Sequence, residues 1–401
     1  MITKKYKQRG AVSLFVVIFA ALLIMVVTVS FVRIMTQDQQ QASTTDLSQS
    51  AYDSAQAGVE DAKRALLRLK NICDIGVDAA ACTEAQAQIN SLICNDAVEK
   101  LTDVKEAVTT SKDGEVNIQT GESNKLDQAY TCVKISTDTD NYIGELGQDV
   151  SKFIPLIGVS SFDTIKIEWF NVKDLQGSIL AANIPAFTAL APPLLSQNSW
   201  TVAIPNRPSI MRAQLVQFNS AGFSLGDFEG GVGVNGSNNT LFLYPSDIIE
   251  TTKSFTSDIR KTSKATSVPT QVTCNDLKGT EEYACSATIT LPVSVVKDIT
   301  TGNIDHIQYL DLTSLYKKSN YRITLWNGSG PAKKLVKFDA VQPEVDSTGR
   351  TNNLFRRVKS RVELTDINYP YPNAAIDITG NLCKDFTVTN DTKDYTNRCS
   401  S

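Results

Sequence analysis

The chain has 401 residues, a formal net charge of −4, eight cysteines and one histidine. That length is more than one simple core needs and points to two or three domains. The acidic balance argues against general nucleic-acid binding, which relies on Lys and Arg against phosphate, so no nucleic acid is expected as a partner.

The N-terminus is the most informative stretch. Lys4, Lys5, Lys7 and Arg9 lead into Gly10, and Ala11 to Val32 (AVSLFVVIFAALLIMVVTVSFV) carries no charge. A helical membrane span needs about 20 apolar residues. A secretory signal would also be basic and then apolar, but its core runs only about 7–15 residues and ends at a cleavage site. The basic residues predict a single-pass protein of the cytoplasmic membrane, with its N-terminus inside and the rest of the chain outside.

Proline divides the remainder of the chain. None occurs before Pro155, so the first third can hold long unbroken helix. Leu47, Ala51, Ala55, Val59, Ala62, Leu66 and Leu69 recur every three or four residues and mark one helical face. Its many alanines let neighbours approach closely. The spacing predicts one helix over 11–70. A second helix is expected from about Glu84 to Val104, opened by the capping-box pattern Thr83-Glu84-Ala85-Gln86 and carrying Ile89, Ile93, Ala97 and Leu101 on one face. Short strands are expected at 116–120 and 130–136.

From about Val150 the pattern becomes β. Strands are expected at 164–172, 199–204, 210–218, 240–243, 287–291, 321–325, 335–341 and 357–364, separated by Gly, Pro, Asn and Asp. Gly230–Asn239 and Lys253–Pro269 read as loops. The expected class is α+β: a long N-terminal α-helix acting as a membrane stem, then a disulfide-stapled, mainly β head. The expected divisions are 1–10, 11–70, 71–149 and 150–401.

Cys73, Cys82, Cys94, Cys132, Cys274, Cys285, Cys383 and Cys399 all lie beyond the apolar run. An even count outside the membrane reads as disulfides in an oxidising compartment. A zinc site is the rival, but there is no Cys-x-x-Cys and only His306 to assist. Local pairing gives Cys73–Cys82, Cys94–Cys132, Cys274–Cys285 and Cys383–Cys399, out of roughly 100 possible connectivities.

Two motifs at the start of the chain resemble a known family. The basic leader, Gly10 and the run RGAVSLFVVI resemble type IV prepilins, and especially minor pilins of the PilX and GspK kind. SAYDSAQAGVEDAKRAL (Ser50–Leu66) is similar to their "AFxAAEAGxE" stretch. Tyr52, Ala55, Ala57, Gly58 and Glu60 match it, and Gln56 replaces the usual Glu. The resemblance covers about residues 1–66. It implies that a prepilin peptidase cuts between Gly10 and Ala11 and methylates Ala11, and that other pilin subunits are partners through the helix. Most pilins carry a glutamate where this chain has Phe15. The implied function is a structural subunit within or at the tip of a type IV pilus or related filament. The alternative is a membrane-anchored adhesin or binding protein outside any filament.

Enzymatic chemistry finds little footing, and the chain reads as a non-enzyme. Gly222-Phe223-Ser224-Leu225-Gly226 matches G-x-S-x-G, but Asp227-Phe228-Glu229-Gly230-Gly231 is no helix start. His306 would be its base and Asp298 its acid. No cofactor is required, although Asp138, Asp140, Asn141 and Glu145 form a candidate calcium set, oxygen ligands suiting a hard cation. The resemblance to GspK-type pilins adds to that reading; a solvated polar turn is the plainer one. Trp169, Trp200 and Trp326 read as a binding surface or, as strand tryptophans usually are, as core.

Peptide mapping of the unreduced protein is expected to recover Cys274–Cys285 and Cys383–Cys399. Each closes a short loop and should stabilise its region by about 2–4 kcal/mol. Free thiols at these four positions in protein isolated without reductant would refute the pairing.

Overall fold

The computed structural model describes residues 10–74, 79–102, 114–118, 127–176, 182–184, 200, 206–219, 231–232, 237–248, 252–254, 269–275, 277, 282–297 and 305–363. The α+β class holds: one long apolar helix precedes a mainly β region with disulfides. Two compact units emerge, Met1–Ile135 with Val345–Ser360, and Ser136–Glu344 with Arg361–Ser401.

The first unit is built on helix α1, Gly10–Asp74. At about 1.5 Å per residue its 65 residues extend roughly 100 Å. Two short helices come next, α2 (Ala79–Ile89) and α3 (Asp96–Leu101). The unit also contains a sheet ordered β1-β2-β15-β16, from strands Val116–Asn117, Gln128–Thr139, Phe338–Thr351 and Leu354–Arg361. The lower half of α1 packs through the face its periodicity marks. Ala51, Ala55, Val59, Ala62 and Leu66 are fully buried, and Leu69 nearly so. Each large side chain so buried contributes about 1.5–3 kcal/mol.

The small residues on this face have a geometric cause. A Cβ on Gly349 of β15 would stand 2.1 Å from Ala55 N and 2.2 Å from Ala51 O, inside the helix backbone. A Cβ on Gly58 would stand 2.5 Å from Ser347 Oγ and 2.7 Å from Val133 Cγ2. Helix and sheet therefore meet backbone to backbone. Val345, Ser347 and Thr351 alternate with exposed-side residues and are fully buried on the same strand.

The expected helix over Glu84–Val104 is two helices. Thr83 lies inside α2, its hydroxyl donating to Ala79 O at 2.9 Å, so it caps nothing. Asn95 breaks the helix with φ 64°. Its side chain acts as a piece of sheet. Nδ2 donates to Gly114 O at 2.9 Å and Thr131 O at 3.2 Å, and Oδ1 accepts from Val133 N at 2.8 Å. Its own N–H reaches Val133 O at 3.0 Å. These long-range bonds override local helical preference, and Ile93 turns out 69% exposed.

The second unit is a large sheet ordered β14-β13-β5-β11-β10-β8-β6-β12-β4. Its strands are β3 (Tyr142–Leu146), β4 (Ser151–Pro155), β5 (Phe162–Asn171), β6 (Ile210–Asn219), β7 (Gly231–Val232), β8 (Ser237–Ser246), β9 (Lys253–Ser254), β10 (Thr270–Cys274), β11 (Tyr283–Val295), β12 (His306–Leu315), β13 (Ser319–Asn327) and β14 (Lys334–Val336). β3 adds to β13, β7 to β8 and β9 to β11. The pairs β8–β10 and β9–β11 are parallel. Consecutive strands β3 and β4 sit on β13 and β12, toward opposite ends of the order. Only Gly147–Val150 separates them, so the sheet curls back on itself. Asp149 fastens this corner, its N–H donating to Ser314 O at 2.7 Å and its Oδ1 accepting from Tyr316 N at 2.9 Å. One core fills the curl, with Ile154, Ile167, Trp169, Ala213, Leu243, Ile289, Leu312 and Ile323 among its members.

Several expectations shift. The units part at 135/136 rather than at 149/150, because β15 and β16 return to join β2. Gly230–Asn239 is not loop throughout, since β7 and the start of β8 fall within it. Lys253–Ser254 is strand β9, and 255–268 lies outside the described residues. Of the expected strand 199–204 only Trp200 is described, in helical conformation. β3, β4, β10 and β12 carry too little alternation to be read as strands from the sequence.

Gly349→Val should destabilise the first unit by on the order of 3 kcal/mol, since overpacked backbone has no rotamer to yield. Gly58→Leu should do the same. Urea denaturation monitored by circular dichroism checks both; an unchanged midpoint would contradict the close approach.

Candidate functional site: the exposed helix and its stapled base

The upper half of α1 is the functional candidate. Every described side chain from Leu14 to Asp46 is exposed, including Phe15 at 69%, Phe19 at 71% and Phe31 at 72%. This is one helix long and apolar enough to cross a membrane. Its few hydroxyls are satisfied within the helix. Thr28 Oγ1 donates to Met25 O at 2.9 Å, and Ser30 Oγ to Val26 O at 2.8 Å. Such back-bonding lets a hydroxyl sit in an apolar medium without an orphaned donor. Helix begins at Gly10 and continues through Ala11, so the expected processing junction lies at its first turn. Residues 1–9 lie outside the described residues.

The second motif splits by face. Ala55 and Gly58 are buried against the sheet, whereas Tyr52 is 47% exposed. Gln56 and Ala57 are partly exposed, and Glu60 pairs with Lys63 at 2.7 Å on the outside. Beside it, Asp61 accepts from Tyr130 Oη at 3.0 Å and from Arg64 at 2.8 Å. Burial, then the Asp61 charge, pushes the Tyr130 phenol well above its ordinary range.

Disulfides staple the base of the helix. Cys73 at its end joins Cys82 in α2, and Cys94 before α3 joins Cys132 in β2. Cys274–Cys285 links directly paired positions of β10 and β11. These are the local pairs expected from spacing. Cys383 and Cys399 lie outside the described residues, and no described cysteine is free.

The candidate calcium set does not converge. Asp138 accepts from Thr137 Oγ1 at 3.2 Å, Asp140 faces Lys337 at 3.9 Å, and Asn141 Oδ1 accepts from Arg361 at 3.2 Å. Glu145 pairs with Lys318 at 3.1 Å. Each ligand is turned to its own partner along the β2–β3 hairpin. Among the described residues, no three His, Cys, Asp or Glu side chains are placed to hold a metal ion. The solvated-turn reading is the one the geometry favours.

The nucleophile motif Gly222-Ser224-Gly226 and Asp298 lie outside the described residues, while His306 opens strand β12. The tryptophans form no common surface. Trp169 is fully buried and donates to Ser209 O at 2.9 Å. Trp200 is fully buried in a separate cluster. Trp326 is half-buried beneath Lys333 at 4.9 Å.

Arg350, beside Gly349, carries no sign of its role in the sequence. Its Nη2 donates to Glu115 Oε2 and its Nη1 to Asp127 Oδ2, each at 2.6 Å. These bonds hold the Asp127 carboxyl below its ordinary range. Partners more than 200 residues away leave no local signal. No protein-family model, curated protein or solved structure matches the chain.

Arg350→Met leaves Glu115 only 18% exposed and without its cation. A loss of about 2 kcal/mol is expected, the scale of charged hydrogen bonds. Adding Glu115→Gln should recover part of it in a double-mutant cycle; strict additivity would show that the pair is not coupled.

Proposed function

We propose that this chain is a minor-pilin-like subunit, anchored by α1 in the cytoplasmic membrane and then transferred into, or to the tip of, a type IV pilus or related filament. The observation that carries the reading is one unbroken helix whose upper half exposes apolar side chains on all sides. Its lower half packs on a disulfide-stapled sheet. A helix apolar all round must sit in lipid or among other helices. Extraction from lipid exposes this surface to water unless other stems replace the lipid. Like helices therefore supply the most economical partner, and the helix, not the β region, drives assembly.

The basic residues before Gly10 support a cytoplasmic N-terminus. A prepilin peptidase would act between Gly10 and Ala11. Phe15 replaces the glutamate with which most pilins neutralise a neighbour's terminal amine. A subunit without that carboxylate has less need of a neighbour above it, which suits a tip or initiating position.

Mass spectrometry of membrane-extracted protein should find Ala11 as the first residue, methylated, when the peptidase is active. Gly10→Glu should block that cut. Ala21→Arg places a charge in the span at about 2.5–3.5 kcal/mol. Both variants should keep disulfide-bonded outer regions yet be missing from sheared filaments. Incorporation of either at the unmodified level would favour the anchored adhesin instead.

A further inference from the structure

One buried cation in the second unit has no counter-charge among the described residues. Arg207 lies in the segment that leads into β6 and is only 8% exposed. Its Nε and Nη1 are buried and have no hydrogen-bond partner among those residues. The guanidinium carbon stands 4.8 Å from the centroid of Trp200. Trp200 is itself fully buried, edge-on to Tyr244 at 5.2 Å and tilted against Tyr316 at 6.3 Å. Its Nε1 donates to Pro208 O at 3.0 Å, which ties the ring to the chain carrying Arg207.

Other partly buried arginines of the same unit are matched with acids. Arg322 meets Glu168 and Glu282, Arg361 meets Glu344, and Arg212 stands 4.0 Å from Asp311. Arg207 has the face of an indole instead. An arginine cannot shed its charge by losing a proton. A desolvated, unpaired cation is costly, and stacking on one aromatic face returns only part of that cost. Nε and Nη1 belong to different edges of the guanidinium, so neither edge is fully occupied.

We propose that Arg207, with Trp200, Tyr244 and Tyr316, forms a binding site for the carboxylate group of a small molecule. A carboxylate is planar and matches the guanidinium fork. Its single negative charge matches a single cation. A phosphate dianion would leave surplus charge among aromatic rings, since Lys317, next to Tyr316, lies over the Phe170 ring at 5.2 Å. The rings supply an apolar wall for the ligand's body. This site is independent of how α1 is used.

The test uses full-length protein in detergent, titrated with sodium acetate and sodium propionate while tryptophan fluorescence is recorded. Sodium chloride at matched ionic strength and inorganic phosphate serve as comparisons. A saturable change with the carboxylates alone is expected, together with a melting temperature that rises with their concentration. Arg207→Gln should weaken the response at least tenfold. No saturable response from unmodified protein, an equal response to chloride or phosphate, or unchanged affinity in Arg207→Gln would each overturn the proposal. If Arg207→Gln fails to fold, Arg207→Lys decides: it keeps the charge but loses the fork. A tenfold loss supports the site, and unchanged affinity overturns it.

Discussion

The structure of the first unit depends on backbone meeting backbone. Gly349 on β15 lies against Ala51, Ser54 and Ala55, and Gly58 on α1 lies against Ser347 and Val133. No side chain separates helix from strand at these points. Dispersion falls off steeply with separation, so such an approach draws contact from every neighbouring atom. The same fit forbids adjustment, because neither partner has a rotamer to move. The alanines of the helix and the buried Val345, Ser347 and Thr351 of the strand are consequences of this spacing.

Once helix and sheet are this close, the polar groups nearby must be settled within the protein. Asn95 completes the sheet with its side chain, Tyr130 finds Asp61, and Arg350 gathers Glu115 and Asp127. Cys73–Cys82 and Cys94–Cys132 then hold α2 and the start of α3 to this base. Half of α1 is thereby fixed, while the other half keeps its apolar surface free. A membrane segment joined to a folded base needs both conditions at once.

The second unit solves a different problem. Its sheet buries one face by curling, and consecutive strands β3 and β4 reach β13 and β12 through one corner. The buried Asp174 shows how polar groups are managed there. It accepts from Asn171 N at 2.8 Å and from Asn320 N and Nδ2 at 3.0 and 2.8 Å. Burial still raises its carboxyl above the ordinary range, because desolvation outweighs these bonds. Arg207 stands out against that background, with an aromatic ring as its neighbour and no acid among the described residues.

The amino-acid sequence determined what depends on neighbours along the chain. The apolar run, the absence of proline and the three-to-four spacing from Leu47 to Leu69 were enough to read α1 and its buried face. Alternation was enough for strands such as β5, β6 and β13, and short spacing for the three cysteine pairs seen here. What required the tertiary structure was every feature set by distant partners. The helix expected over Glu84–Val104 broke at Asn95 because its partners lie on β2 and at Gly114. The calcium set dispersed because cations beside β13, on β16 and between β14 and β15 claim its members singly. Gly349 and Arg350 gained their roles only when β15 returned to α1 and to Glu115. A glycine or an arginine in a sequence carries no mark of which distant atoms will stand against it; only the folded chain supplies that neighbour.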